Sequence, residues 1–215
     1  MDFLLIGFFA LVAYLIGAIP TALWVGQAYF GIDIREHGSG NSGATNTFRV
    51  LGKRPGSFVM AIDVFKGWTA TSLVGFLVIF QAIPVENVVA IKLLYGFLAV
   101  VGHIYPVYAQ FKGGKGVATL LGMVLAIHTE AALVCLGIFV VVLLLTNYVS
   151  LSSMLAAIAF PLLMLLPWFR PEHAATLLLI FGIVVAVLVV FTHRKNIGRL
   201  RRGEESRVNL GFRKK

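Results

Sequence analysis

The stretch Gly38-Ser39-Gly40-Asn41-Ser42-Gly43-Ala44-Thr45-Asn46-Thr47-Phe48-Arg49 has the G-x-G-x-x-G spacing that brings backbone N–H groups close to phosphate. Its glycines admit an anion to the main chain. Ser39, Thr45 and Asn46 add side-chain donors, and Arg49 adds a planar cationic fork. No βαβ pattern surrounds the motif, so a dinucleotide-binding reading fails on context. Gly, Ser and Asn are also ordinary turn residues. The continuation to Arg49 is what favours an oxyanion site over a plain connection.

A second motif, Phe111-Lys112-Gly113-Gly114-Lys115-Gly116-Val117-Ala118-Thr119, is not a Walker A loop, since G-x-x-x-x-G-K-[ST] is absent. Similar physics still applies, because glycines before a helix expose backbone donors and the helix N-terminus favours negative charge. Lys112 and Lys115 supply charge directly. A basic interfacial loop would explain the lysines but not three glycines around Lys115.

Three further groups carry polar chemistry. His193-Arg194-Lys195-Asn196 puts His193 and Asn196 at helical spacing i, i+3, with His193 a general base or a hydrogen-bond donor. Ser150, Ser152 and Ser153 lie together where a Ser N-cap is the common structural use. Asp63 and Lys66, three apart within an apolar stretch, form either a structural ion pair or a supporting pair behind a site. His37, His103 and His128 read as interfacial or helix-end residues. None of the five histidines begins an H-x-x-x-x-D motif, and no H-E-x-x-H or carboxylate cluster occurs. Many anion donors and few acids point to phosphate-bearing substrates, with no metal or cofactor expected.

The elements that must position these groups are membrane helices. The 215 residues are 59% hydrophobic with mean hydropathy +0.93, too little polar surface for a soluble domain. No linker or repeat divides the chain, so residues 1–215 read as one domain with a basic tail from 193 to 215. Cys135 is the single cysteine and lies in an apolar run, which excludes an intrachain disulfide. The first apolar run lacks a basic leader and is too long for a signal-peptide core, so it is expected to remain as a span.

Expected spans are 3–26, 57–81, 86–108, 114–128, 130–147, 153–168 and 172–192. The break at His128-Thr129-Glu130 raises the alternative of one helix running through it, giving six. Seven spans place the loop 31–56, the loop 109–116 and the tail on one side. With them go Arg35, Arg49, Lys53, Arg54, Lys112, Lys115, Arg194, Lys195, Arg199, Arg201, Arg202, Arg207, Arg213, Lys214 and Lys215. Six spans would split this charge, so the positive-inside rule selects seven, with the N-terminus outside. The fold class is therefore all-α and polytopic, with seven transmembrane helices and every Gly-rich loop on the cytoplasmic face. A basic tail beside a span points to anionic lipid, not nucleic acid. An organophosphate transporter would concentrate polar groups near the bilayer midplane, which this pattern does not.

The motifs GSGNSGATNTFRVLG, GHIYPVYAQFKGGKGVAT, SLSS and HRKN, in this order and at this chain length, resemble the bacterial acyl-phosphate:glycerol-3-phosphate acyltransferases, the PlsY family. The resemblance implies a multi-pass inner-membrane enzyme that moves a fatty acyl group from acyl phosphate to the 1-hydroxyl of sn-glycerol 3-phosphate. Lysophosphatidic acid and phosphate are the implied products, in the first step of phospholipid synthesis. A phosphate:acyl-carrier-protein acyltransferase is the implied supplier of the donor. Carried onto matching positions, Ser39, Arg49, Lys115 and His193 are the implied catalytic set, and with Asn196 they bind glycerol 3-phosphate. Gly40, Asn41, Thr45, Asn46, Gly113, Gly114 and Lys115 match the region around acyl phosphate. Ser150, Ser152 and Ser153 match less tightly and stay as candidates.

Overall fold

Helix formation starts at once, because Asp2 Oδ1 accepts from the N–H groups of Leu4 and Leu5, both at 3.1 Å, and caps helix α1 (Phe3–Gly17). The computed structural model describes residues 1–171 and 174–208, and all regular structure within them is helical. The first residues of the seventh expected span, together with Arg213, Lys214 and Lys215, lie outside the described residues.

Pro20 cannot continue the ladder of α1, so the first expected span, 3–26, is broken. It becomes α1 and α2 (Thr21–Phe30), bent by 42°. After α2 come the short α3 (Ala44–Val50) and α4 (Lys53–Ser72), which runs on with α5 (Val74–Ile79). α6 (Val88–Ile104) and α7 (Val117–Ile127) complete a first compact unit, residues 1–129. His128 leaves helical backbone, at φ −148° and ψ 83°, before α8 (Thr129–Thr146) begins. The break read at 128–130 is therefore a real end to α7. The second unit, from Glu130, holds most of α8 with α9 (Val149–Leu163), α10 (Ala175–Thr192) and α11 (Arg194–Arg201).

Among the described residues the apolar helices where spans are expected have unequal reach. Four can cross a membrane alone by length and composition: 53–79, 85–109, α8 and α10. The bent pair α1–α2 passes the same test jointly, while α7 and α9 are shorter. At 1.5 Å per residue the 11 residues of α7 reach only about 17 Å, against about 30 Å of hydrocarbon.

Within the first unit, helices meet through glycine, as expected where lipid removes any hydrophobic drive between them. Gly17 and Gly102 let α1 and α6 touch backbone to backbone. Gly67 and Gly122 do the same for α4 and α7. The close approach is pinned by Tyr95, whose hydroxyl donates to the Ile6 carbonyl at 3.1 Å. Many large apolar side chains face outward, among them Phe8, Phe58, Phe65, Val141 and Leu145, as lipid-facing surface requires.

Candidate active site

The loop after α2 is built by its own polar groups. A single turn at Ile34–Glu36 is started by Asp33, whose carboxylate accepts from the Arg35 N–H and guanidinium. That hydrogen bond holds the Asp33 carboxyl below its ordinary range and the Arg35 guanidinium above its own. Asn46, buried at the start of α3, closes the loop from the other side. Its Oδ1 accepts from the Ser39 N–H (2.8 Å) and hydroxyl (3.1 Å), and its Nδ2 donates to the carbonyls of Ile34 and His37. Gly38 (φ 61°) and Gly40 (φ 71°) take the left-handed turns this closure needs. Ser39, Thr45 and Arg49 remain exposed on its surface.

The second glycine loop meets the first inside the same unit. Arg35 Nη1 donates to the Ala109 carbonyl at 3.2 Å, and Ser42 Oγ to the Lys112 carbonyl at 3.4 Å. Gly113 and Gly114 donate their N–H groups to the carbonyls of Ile104 and His103. A side chain at either position would collide with His103. Lys115 is half-buried, and α7 starts two residues beyond it.

In the second unit, Ser150 Oγ and Asn196 Nδ2 both donate to Oε1 of Glu205, at 2.7 and 2.6 Å. Arg199 Nε donates to Oε2 at 2.7 Å. Burial would raise the Glu205 carboxyl, but these three bonds together hold it below its ordinary value. His193 ends α10 with its Nδ1 2.8 Å from the Val189 carbonyl. A carbonyl can only accept, so Nδ1 carries the proton, and a neutral ring would then have its lone pair at Nε2.

Residues 7–203 match the family described as glycerol-3-phosphate acyltransferase. The chain belongs to that acyltransferase family. It is 44% identical to the glycerol-3-phosphate acyltransferases of Chlorobaculum tepidum and Chlorobium limicola, over 93% of this chain and 95% of each relative. A crystal structure of PlsY, an integral membrane glycerol 3-phosphate acyltransferase in its glycerol 3-phosphate form, is 36% identical with TM-score 0.81. That match covers 97% of this chain and 99% of the other. A second PlsY structure, the lysophosphatidic acid form, gives TM-score 0.78 at the same identity over 95% of each chain. As a family member the chain is a helical, multi-pass membrane protein.

Within this acyltransferase fold the expected residues take different places. Ser39, Gly40, Asn41, Thr45, Arg49, Gly113, Gly114 and Lys115 belong to the two joined loops of the first unit, while Ser150, His193 and Asn196 belong to the second. Several expectations change in detail. The N–H group of Gly40 is spent on the His37 carbonyl and those of Gly113 and Gly114 on the last carbonyls of α6, so they are not the open donors the motifs imply. The donors left at this end are those of the first turn of α7, which have no partner within the helix. Asn46 braces the loop with both ends of its amide, and the Ser39 hydroxyl must turn from Asn46 to donate to a ligand. The serines do not cap α9, because all three lie inside it. Ser152 and Ser153 bond the carbonyls of Tyr148 and Val149, four residues back in the chain, and only Ser150 reaches another group of the site.

Sequence reasoning missed two groups. Glu205 lies in what reads as a basic tail, and its only signal is being one of two acids among many cations. Arg35 reads as an inside-face charge, yet it ties one glycine loop to the other.

Proposed function

We propose that this protein transfers a fatty acyl group from acyl phosphate to the 1-hydroxyl of sn-glycerol 3-phosphate. The products are lysophosphatidic acid and inorganic phosphate, formed in the first step of phospholipid synthesis. The observation that carries this reading is the joining of two glycine loops by Ser42 and Arg35, with Ser39, Arg49 and Lys115 on the joined segment. An acceptor and a donor that both bear phosphate are suited to such a concentration of donors with few acids. Solved relatives in glycerol 3-phosphate and lysophosphatidic acid forms favour the same acceptor and product.

In this reading Ser39, Arg49 and Lys115 hold substrate phosphates, and Thr45, Asn41 and the first turn of α7 surround the acyl phosphate. His193 and Asn196 contact glycerol 3-phosphate, and Ser150 is the serine of its stretch that takes part. Acyl phosphate is already an activated anhydride, so the protein's task is positioning and charge stabilisation. The acceptor oxygen adds to the acyl carbon, and the tetrahedral oxyanion collapses with cleavage of the bond to the phosphate oxygen. The hydroxyl proton passes to a phosphate oxygen, and phosphate leaves against Lys115. His193 Nε2 is the competing acceptor of that proton.

The chain acts as one acyltransferase domain with seven crossings of the bacterial inner membrane. Its N-terminus is outside, and its loops and tail are cytoplasmic beside anionic lipid. A phosphate:acyl-carrier-protein acyltransferase upstream supplies the donor. Detergent-purified protein, labelled glycerol 3-phosphate and three donors in parallel test this: acyl phosphate, acyl-CoA and acyl-carrier protein. Lysophosphatidic acid formed only from acyl phosphate, with stoichiometric phosphate release, is the expected result. Turnover with acyl-CoA overturns the donor assignment.

A further inference from the structure

The first unit contains a buried ionic cluster that none of the chemistry above uses. Lys66 Nζ lies 2.8 Å from Asp63 Oδ1, with the two side chains 4% and 2% exposed. The cluster reaches well beyond this i, i+3 pair on α4. Lys66 Nζ also donates to the carbonyl of Ile19, in the bend where Pro20 breaks the first helix, at 3.0 Å. Thr21 Oγ1, at the start of α2, donates to Asp63 Oδ1 at 3.4 Å. On the far side His103 Nδ1, from the end of α6, stands 3.6 Å from the same carboxylate oxygen, buried and without a hydrogen bond. Charged groups inside a membrane protein are costly, and a pair that served α4 alone would not gather the broken helix and α6 around one oxygen.

What lies beyond His103 gives the cluster a purpose. The His103 ring occupies the space over Gly114, where any side chain would strike Nε2, and the His103 carbonyl accepts the Gly114 N–H at 3.1 Å. Ile104 accepts the neighbouring Gly113 N–H at 3.1 Å. A path of direct contacts therefore runs from the helix break through Lys66, Asp63 and His103 to the residue before Lys115.

We propose that Asp63, Lys66 and His103 are positioning residues for the acyl transfer: the ion pair fixes the His103 ring, and the ring fixes the Gly113–Gly116 loop that presents Lys115. The proposal rests on the reading of Lys115 as a phosphate-binding group. It also explains why the chain carries adjacent glycines at 113 and 114, since His103 fills the volume their side chains would need.

Full-length protein in detergent tests the proposal through loop exchange and turnover together. The variants are D63N/K66M, which removes both charges and leaves none unpaired, and H103A with its conservative partner H103Q. Amide exchange is followed in peptides covering residues 110–118. In D63N/K66M and H103A, exchange there accelerates and kcat falls by roughly tenfold to a hundredfold, as misplacement of a binding group predicts. Peptides from α4 and α6 keep their wild-type protection, and H103Q restores both readouts. Wild-type loop exchange in D63N/K66M and H103A overturns the proposal. So does exchange that accelerates equally in every helix, which would make the cluster a purely structural element. H103Q as inactive as H103A, with the loop still protected, also overturns it by making the imidazole itself the working group. K115A separates the underlying reading: full turnover there removes Lys115 from the site, whereas the exchange data alone decide whether the cluster holds the loop.

Discussion

Replacing Glu205 with Ala would remove one carboxylate that three donors share. The hydrogen bonds from buried Ser150 and Asn196 are 2.7 and 2.6 Å long. At about 1.5–3 kcal/mol for each bond to a charged group, the two together contribute about 3–6 kcal/mol. Arg199 is 34% exposed, so solvent reduces its bond to about 1 kcal/mol or less. Groups sharing one acceptor are not additive, which favours the lower end, ~3–4 kcal/mol. E205Q keeps one oxygen and should lose roughly half of that. The assay is thermal unfolding in detergent beside the KM for glycerol 3-phosphate. E205A should melt well below wild type and bind acceptor more weakly, because Ser150 and Asn196 lose their shared anchor. The sign of the pH dependence follows from a carboxyl held below its ordinary value. The contribution is complete above the free glutamate pKa of about 4.3 and disappears as pH falls through the lower folded value. The gap between wild type and E205Q should therefore stay constant from neutral pH down to about 5 and close only in stronger acid. An E205A protein with wild-type melting and KM would refute the reasoning.

Three shorter predictions test other contacts. Gly114→Ala places a methyl against the His103 ring, so kcat should fall roughly tenfold or more with the protein still folded; wild-type kinetics would show that the loop yields freely. Ser150→Ala should raise the KM for glycerol 3-phosphate severalfold, whereas Ser152→Ala and Ser153→Ala, which lose only bonds to their own helix, should leave it near wild type in the same assay. His193→Gln should retain turnover within about tenfold and an unchanged pH–rate profile, since a substrate phosphate oxygen takes the proton; a loss of about a hundredfold or more together with a missing limb would make His193 the base.

The parts of the fold visible in the sequence are those set by local chemistry. Apolar runs mark the helices, and His128 separates α7 from α8 as the polar interruption there implies, whereas the span expected over 3–26 does not register the break at Pro20. The two glycine motifs also declare themselves as a pair in need of close backbone approach. What their residues do with that approach is less visible. The N–H of Gly114 and the amide of Asn46 look like ligand donors in the sequence, yet the first ties its loop to the end of α6 and the second closes its own loop. Composition shows which groups can donate. Only geometry shows which acceptor each has already taken.

The contacts missed in the sequence share one physical property, which is that the partners are distant along the chain. His103 joins Asp63 from forty residues away, and Glu205 reaches back to Ser150 over fifty-five. Neither acid belongs to a motif: Asp63 shows only Lys66 as a partner in the sequence, and Glu205 is submerged in a basic tail. Yet among the described residues polar groups of each unit converge on a buried carboxylate: Asp63 behind the Lys115 loop, Glu205 between Ser150 and Asn196. A site that must attract phosphate cannot place acids where the ligand sits, because like charge would repel it. An acid one layer back does not meet the ligand and can still fix the direction of the donors that do. The scarcity of acids near the motifs, which points to phosphate substrates, therefore fits a proposed role for the few buried acids in orienting donors.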